Sequence, residues 1–230
     1  MIVQEVVARL HELSDEGHRS RLTRFGIVYQ RALGIPVPKL RALAKEVGKD
    51  QKLAVALWKT RIHEARILAS MVAIPSEITE ELLDDWVAQI DSWDICDGFC
   101  GGLVDKTPFA VAKAFEWSAR EEEFIRRAGF VVIAALAVHD KKATDRSFEQ
   151  FFPLFLEYAS DGRNFVRKAV NWALREIGKR NIRLNKKAIS LAERIRKQDT
   201  KSARWIAADA LRELQSDNVQ QRLARRSGTK

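Results

Sequence analysis

The stretch Ser92-Trp93-Asp94-Ile95-Cys96-Asp97 sets a tryptophan and a carboxylate four residues apart. On a helix this spacing puts Trp93 and Asp97 on one face. Asp94 points elsewhere, near a helix start where a carboxylate offsets the dipole. A carboxylate beside an indole wall can stabilise developing positive charge or orient an attacking water. The same spacing also suits a core-edge tryptophan beside a solvated aspartate, because aromatic side chains are mostly packing residues.

Two residues further along extend the pair. Arg127, in Arg126-Arg127-Ala128, and Trp172, in Ala169-Val170-Asn171-Trp172-Ala173-Leu174, both fall on strongly apolar helical patterns. Cations surround them in sequence: Arg126, Arg167, Lys168, Arg175, Lys179, Arg180 and Arg204. Brought together, these residues make two indoles, one carboxylate and a cationic rim. Plain helix packing accounts for Trp172 equally well.

The elements that must position these groups are helices. Apolar residues recur at helical spacing almost throughout, with no sustained alternation, so an all-α fold is expected. The periodicity predicts helices over Val3 to Leu13, Ser20 to Ala32, Pro38 to Val47, Gln51 to Thr60, Ile62 to Ala73, Glu80 to Ile90 and Trp93 to Val104. It continues over Pro108 to Arg120, Glu122 to His139, Arg146 to Tyr158, Arg163 to Arg180, Asn185 to Lys197 and Lys201 to Leu214. Thr79 and Thr107 read as N-caps, and Pro38 as a first-turn residue. From Ser216 the pattern fades, so residues 1–215 are expected to form the repeat domain and 216–230 a flexible basic tail.

A basic residue beside an alanine opens several of these helices: Ala65-Arg66, Arg127-Ala128, Lys168-Ala169 and Ala203-Arg204. The last three segments, starting at Ile125, Val166 and Ala203, are 41 and 37 residues apart, a spacing suited to HEAT-like helical pairs. Such pairs bury their apolar faces by stacking into a right-handed solenoid, whose second helices line the concave side. The scattered cations then become one track, matched to the even charge spacing of a duplex backbone.

The charge distribution supports that expectation. Within the 230 residues the net charge is +9, yet Arg163 to Arg212 holds fifteen Lys/Arg against four Asp/Glu while residues 1–162 carry a net −4. A local excess of this kind suits a polyanion, and also a merely solvated lysine-rich surface. Cys96 and Cys100 read as buried structural thiols, and the four histidines show no ligand spacing, so neither metal nor cofactor is called for. No apolar run approaches the roughly 20 residues of a membrane span, and the Met1-Ile2-Val3-Gln4-Glu5 start is not a signal sequence, which points to the cytoplasm. Oligomeric state has no signature; a monomer is the simplest expectation.

These motifs together resemble those of the AlkD-like family of DNA alkylation repair proteins, alkylpurine DNA glycosylases built from HEAT-like repeats. The likeness spans nearly the whole chain. Leu33-Gly34-Ile35-Pro36-Val37-Pro38-Lys39-Leu40-Arg41 resembles the family's early Gly-x-x-x-Pro-x-x-Arg element, and Trp93, Asp97, Arg127 and Trp172 fall on its two tryptophans, catalytic carboxylate and active-site arginine. The resemblance implies metal-free hydrolysis of the N-glycosidic bond of cationic N3- or N7-alkylpurines in double-stranded DNA. It implies that the lesion is handled at the duplex surface, not flipped into a deep pocket. Trp93 and Trp172 would pack against the sugar and backbone, Arg127 would hold a phosphate, and Asp97 would stabilise the oxocarbenium-like sugar or orient the water. The alternative is a noncatalytic HEAT-like scaffold for nucleic acid or an acidic protein. A nuclease is disfavoured for want of a carboxylate cluster.

Overall fold

The computed structural model describes residues 1–22, 27 and 31–227, in which α-helices and two short 3-10 turns occur but no strand. The expected helix over Ser20 to Ala32 lies largely outside the described residues. The chain divides into two compact units, Met1–Pro108 and Phe109–Lys230, a boundary with no mark in the composition.

The first unit runs α1 (Val3–Glu12), α2 (Glu16–Leu22), α3 (Val37–Val47), α4 (Gln51–Lys59), α5 (His63–Val72), α6 (Glu80–Ala88) and α7 (Trp93–Gly102). α5 is buried along nearly its whole length, with α3, α4 and α7 packed against it. Trp58 and Trp86 stack with ring centroids 4.3 Å apart, and Phe99 tilts against both, so α4, α6 and α7 share one aromatic core. Aromatic pairs in such offset geometry contribute about 0.5–1.5 kcal/mol beyond their buried area. Asp50, Thr79 and Ser92 cap α4, α6 and α7 by accepting a first-turn N–H, as short oxygen-bearing side chains do.

The Gly-Pro element has a physical role here. Gly34 adopts φ +74, and a Cβ at that position would sit 2.2 Å from the Asp15 carbonyl oxygen, so only glycine fits. The turn presents three backbone N–H groups, those of Leu33, Gly34 and Ile35, to the buried Glu64 carboxylate at 2.7–3.2 Å. That satisfies a charge that would be costly to bury bare.

The second unit runs α8 (Ala110–Ala119), α9 (Glu123–His139), α10 (Asp145–Glu149), α11 (Phe152–Tyr158), α12 (Asn164–Gly178), α13 (Ile182–Arg196), α14 (Lys201–Leu214) and α15 (Asp217–Ser227). α9, α12 and α14 lie side by side as one layer; α8, α11 and α13 pack behind them. These three helices are the ones that carry the repeat in the sequence. Their partners keep a fixed register of 38 residues: Arg127 with Phe165, Asn171 with Asp209, Arg175 with Glu213.

Three local expectations are revised. The single helix over Arg146 to Tyr158 is two, because Pro153 takes a first-turn position of α11, where its missing N–H costs nothing, and cannot continue a helix from before it. Thr107 does not cap α8, which starts at Ala110; its hydroxyl donates to the Val104 carbonyl at 2.8 Å. The segment after Ser216, expected to fray, carries α15, anchored by buried Val219 and Leu223.

Candidate catalytic carboxylate and basic helix faces

Ser92 sets the start of α7. Its hydroxyl accepts from the Ile95 N–H and donates to Asp94 Oδ1 at 2.5 Å. Downstream, Ile95, Cys96, Phe99 and Cys100 are fully buried, which confirms the two cysteines as buried thiols and fixes the apolar face of the helix. A second face seats α7 on α5: Asp94 meets His63, Gly98 approaches Ile67, and Gly102 approaches Ser70. Trp93 and Asp97, one turn apart, occupy the remaining face and are both partly exposed. A partly desolvated carboxylate beside an indole is the arrangement that strengthens electrostatic stabilisation of a cation.

Asp94 has a different task from its neighbour. Burial pushes its carboxyl up, but the hydrogen bonds with His63 and Ser92 and the His63 charge outweigh that and hold it below the ordinary aspartate range. The helix-dipole role inferred from sequence is thus joined by a tie between α5 and α7.

In the second unit, burial sorts the cations of α12 by direction. Val166, Ala169, Val170, Ala173, Leu174 and Ile177 are buried, and Asn171 and Arg175 reach α14. Lys168, Trp172, Arg175 and Lys179, at helical spacing, form the open stripe. On α14 the corresponding stripe is Lys201, Trp205, Ala208 and Arg212, flanked by exposed Arg204. Arg167 leans across between them, its guanidinium 5.0 Å from the Trp205 ring centroid. Trp205, 36% exposed, belongs to the repeat segment that starts at Ala203 but is given no site role by the sequence, although it lies one 38-residue step beyond Arg167.

The open face is not purely basic. Glu213 accepts from Arg175 and Lys179, while Asp209 accepts from Asn171 and Arg212. Burial raises both carboxyls, yet these partners bring each below its ordinary value.

Three of the arginines singled out from sequence sit elsewhere. Arg127, 5% exposed, donates from Nη1 to the Phe165 carbonyl at 2.9 Å, tying α9 to α12. Gly129 lets α9 lie directly on α8: a Cβ there would come within 2.4 Å of the Ser118 nitrogen. Arg126 pairs with Asp161 at 2.9 Å and covers the Tyr158 ring. Arg180 donates to the Ala137 and Ala143 carbonyls and stacks 4.0 Å from the Phe148 centroid. Arg204 is exposed and held by Asp199. No three His, Cys, Asp or Glu side chains group as a metal site among the described residues.

The sequence profile of the DNA alkylation repair enzyme family matches residues 6–222. The chain belongs to that family. Among solved structures, one described as a new family of proteins related to the HEAT-like repeat DNA glycosylases with affinity for branched DNA structures superposes with a TM-score of 0.77 at 18% identity, over 93% of this chain and 95% of that one. This likeness establishes the HEAT-like fold. An engineered protein matches with a TM-score of 0.38 at 12% identity, covering 76% of this chain and 90% of its own. A designed armadillo repeat protein has the same TM-score and identity, covering 76% and 91%. No curated protein matches by sequence. Among the described residues no helix of this family member is long and apolar enough to cross a membrane.

Proposed function

We propose that the chain binds duplex DNA and releases cationic N3- and N7-alkylpurines by hydrolysing the N-glycosidic bond. The observation that carries this reading is the pairing of Trp93 and Asp97 on the partly exposed face of α7, in a member of the DNA alkylation repair enzyme family. An alkylpurine that is already a cation leaves without protonation, so neither a general acid nor a Lewis acid is required. What the chemistry needs is stabilisation of the oxocarbenium-like sugar. Asp97 supplies that charge or orients the water, and Trp93 presents an indole face that favours a cation. In the second unit Arg127, buried against the Phe165 carbonyl, acts by positioning α12, and Lys168, Trp172, Arg175, Lys179 and Arg204 on the open stripes contact the DNA backbone.

Incubating the protein with N7-methylguanine duplex in EDTA and measuring free base tests this. Release above the spontaneous rate is expected; its absence overturns the glycosylase assignment. A second reading, noncatalytic binding of branched DNA, is favoured by the affinity described for the 0.77 TM-score neighbour. It predicts no release and tighter binding to a four-way junction than to linear duplex.

A further inference from the structure

The second unit holds an open cleft of about 790 Å³ between the end of α9, the α9–α10 loop, the α12–α13 turn and α15. It lies at the far end of the α12 stripe, with Lys179 belonging to both. Its lining is strongly cationic. Lys141 and Lys142 enter from the loop, Arg183 from α13, and Arg222 and Arg226 from α15. Against these stand two lining carboxylates, Asp145 and Glu176. Asp145 is engaged by Asn181 Nδ2 at 2.7 Å, and Glu176 by Lys179 at 2.6 Å.

The walls are built, not draped. The Asp140 carboxylate accepts the N–H groups of Lys142 and Ala143 at 3.1 and 2.9 Å, closing the loop that carries both lysines. Arg180 fastens the other side of that loop through the Ala137 and Ala143 carbonyls. Arg226 Nη1 reaches the Lys179 carbonyl at 3.4 Å, bringing α15 alongside. Lys141, Lys142 and Arg222 have no ion-pair partner among the described residues, and Arg183 has only loose ones at 3.7 Å. Concentrating like charges around one concavity is unfavourable in the free protein and becomes favourable when a polyanion fills it.

The lining also selects the kind of polyanion. It contains no aromatic ring, so nothing there stacks a base, as single-strand binders do. What it offers is charge at spaced points, which matches phosphodiester oxygens of a duplex.

We propose that this cleft is a phosphate clamp for duplex DNA, continuing the α12 stripe beyond Lys179. It rests on the duplex-binding reading. Four of its cations, Lys141, Lys142, Arg222 and Arg226, lie outside the Arg163 to Arg212 segment that the charge distribution singles out.

The test compares wild type, the triple variant Lys141→Ala/Lys142→Ala/Arg222→Ala, and a charge-matched control, Lys186→Ala/Arg194→Ala/Lys197→Ala, on α13 and its C-terminal cap behind the layer. Binding to a fluorescent linear duplex of about four helical turns is followed by anisotropy across salt concentrations. The cleft variant is expected to lose at least about tenfold in affinity and to flatten the log–log salt slope by about 0.9 for each phosphate it no longer neutralises, the control remaining at wild type. A cleft variant indistinguishable from wild type, or a control that weakens equally, overturns the clamp while duplex binding stands. A wild type that binds no duplex overturns the parent reading and the clamp together. Unchanged circular dichroism is expected for both variants, since all six side chains are exposed.

Discussion

His63 Nε2 and Asp94 Oδ2 lie 2.7 Å apart, the imidazole side chain 3% exposed, in the same 31-residue register that joins Trp58 to Gln89. Asp94 therefore holds α7 on α5, and Asp97, three residues on, is left for the partly exposed face. Asp94→Asn should lower stability by about 1.5–3 kcal/mol, the worth of a hydrogen bond to a charged group. Thermal unfolding would show it as a lower Tm, with alkylpurine release retained per folded molecule at low temperature. An unchanged Tm would mean that the pair contributes nothing net.

Asp161 predicts an acid response in the second unit. Burial raises its carboxyl, but hydrogen bonds from Arg163 and Arg126 outweigh this and hold it at about 2, against an ordinary 3.8. A carboxyl depressed by folding contributes stability that is complete above the unfolded value and disappears as pH falls through the folded one. Urea midpoints should thus drop between about pH 4 and pH 2. Asp161→Asn should be less stable at neutral pH and flatter across that window; an identical slope would remove Asp161 as its source.

Much of this architecture is legible in the sequence because apolar spacing survives in it. Val166, Ala169, Val170, Ala173, Leu174 and Ile177 mark the buried face of α12 and hence which residues remain open. Trp93 and Asp97 share a face for the same reason. Charged side chains are harder to read. Arg126 and Arg180 carry the same charge as the cations of the open stripe, yet they are committed to Asp161, to carbonyl oxygens and to aromatic rings that the chain supplies from 32 to 43 residues away. α15 is missed because its buried apolar anchors, Val219 and Leu223, stand in a polar segment, and their contribution exists only once α13 and α14 are in place.

The carboxylates among the open-face cations lead to opposite expectations for two variants. Lys168→Ala removes an exposed cation and should weaken duplex binding, with the salt slope reduced by about 0.9. Glu213→Gln releases Arg175 and Lys179 from a shared carboxylate and should tighten binding and steepen the slope. Anisotropy titrations at several salt concentrations read both. If Glu213→Gln weakens binding, the carboxylate positions those cations for phosphate instead of competing with it.

Asp97→Asn separates chemistry from binding. The amide nearly matches the carboxylate in shape but lacks the charge that stabilises the oxocarbenium-like sugar, and one well-placed charged group of this kind is worth about 3 kcal/mol, on the order of a hundredfold in rate. Affinity for undamaged duplex should hold or rise slightly, because a negative charge near phosphates has been removed. Arg127→Ala should behave differently: its guanidinium is buried and bonded to the Phe165 carbonyl, so its loss should lower the Tm as well as lesion-DNA binding and release. Single-turnover release of N7-methylguanine, with circular dichroism to confirm folding, distinguishes the two. If Asp97→Asn releases base as fast as wild type, the catalytic charge lies elsewhere, and the indole beside Asp97 is then a packing residue at the edge of α7.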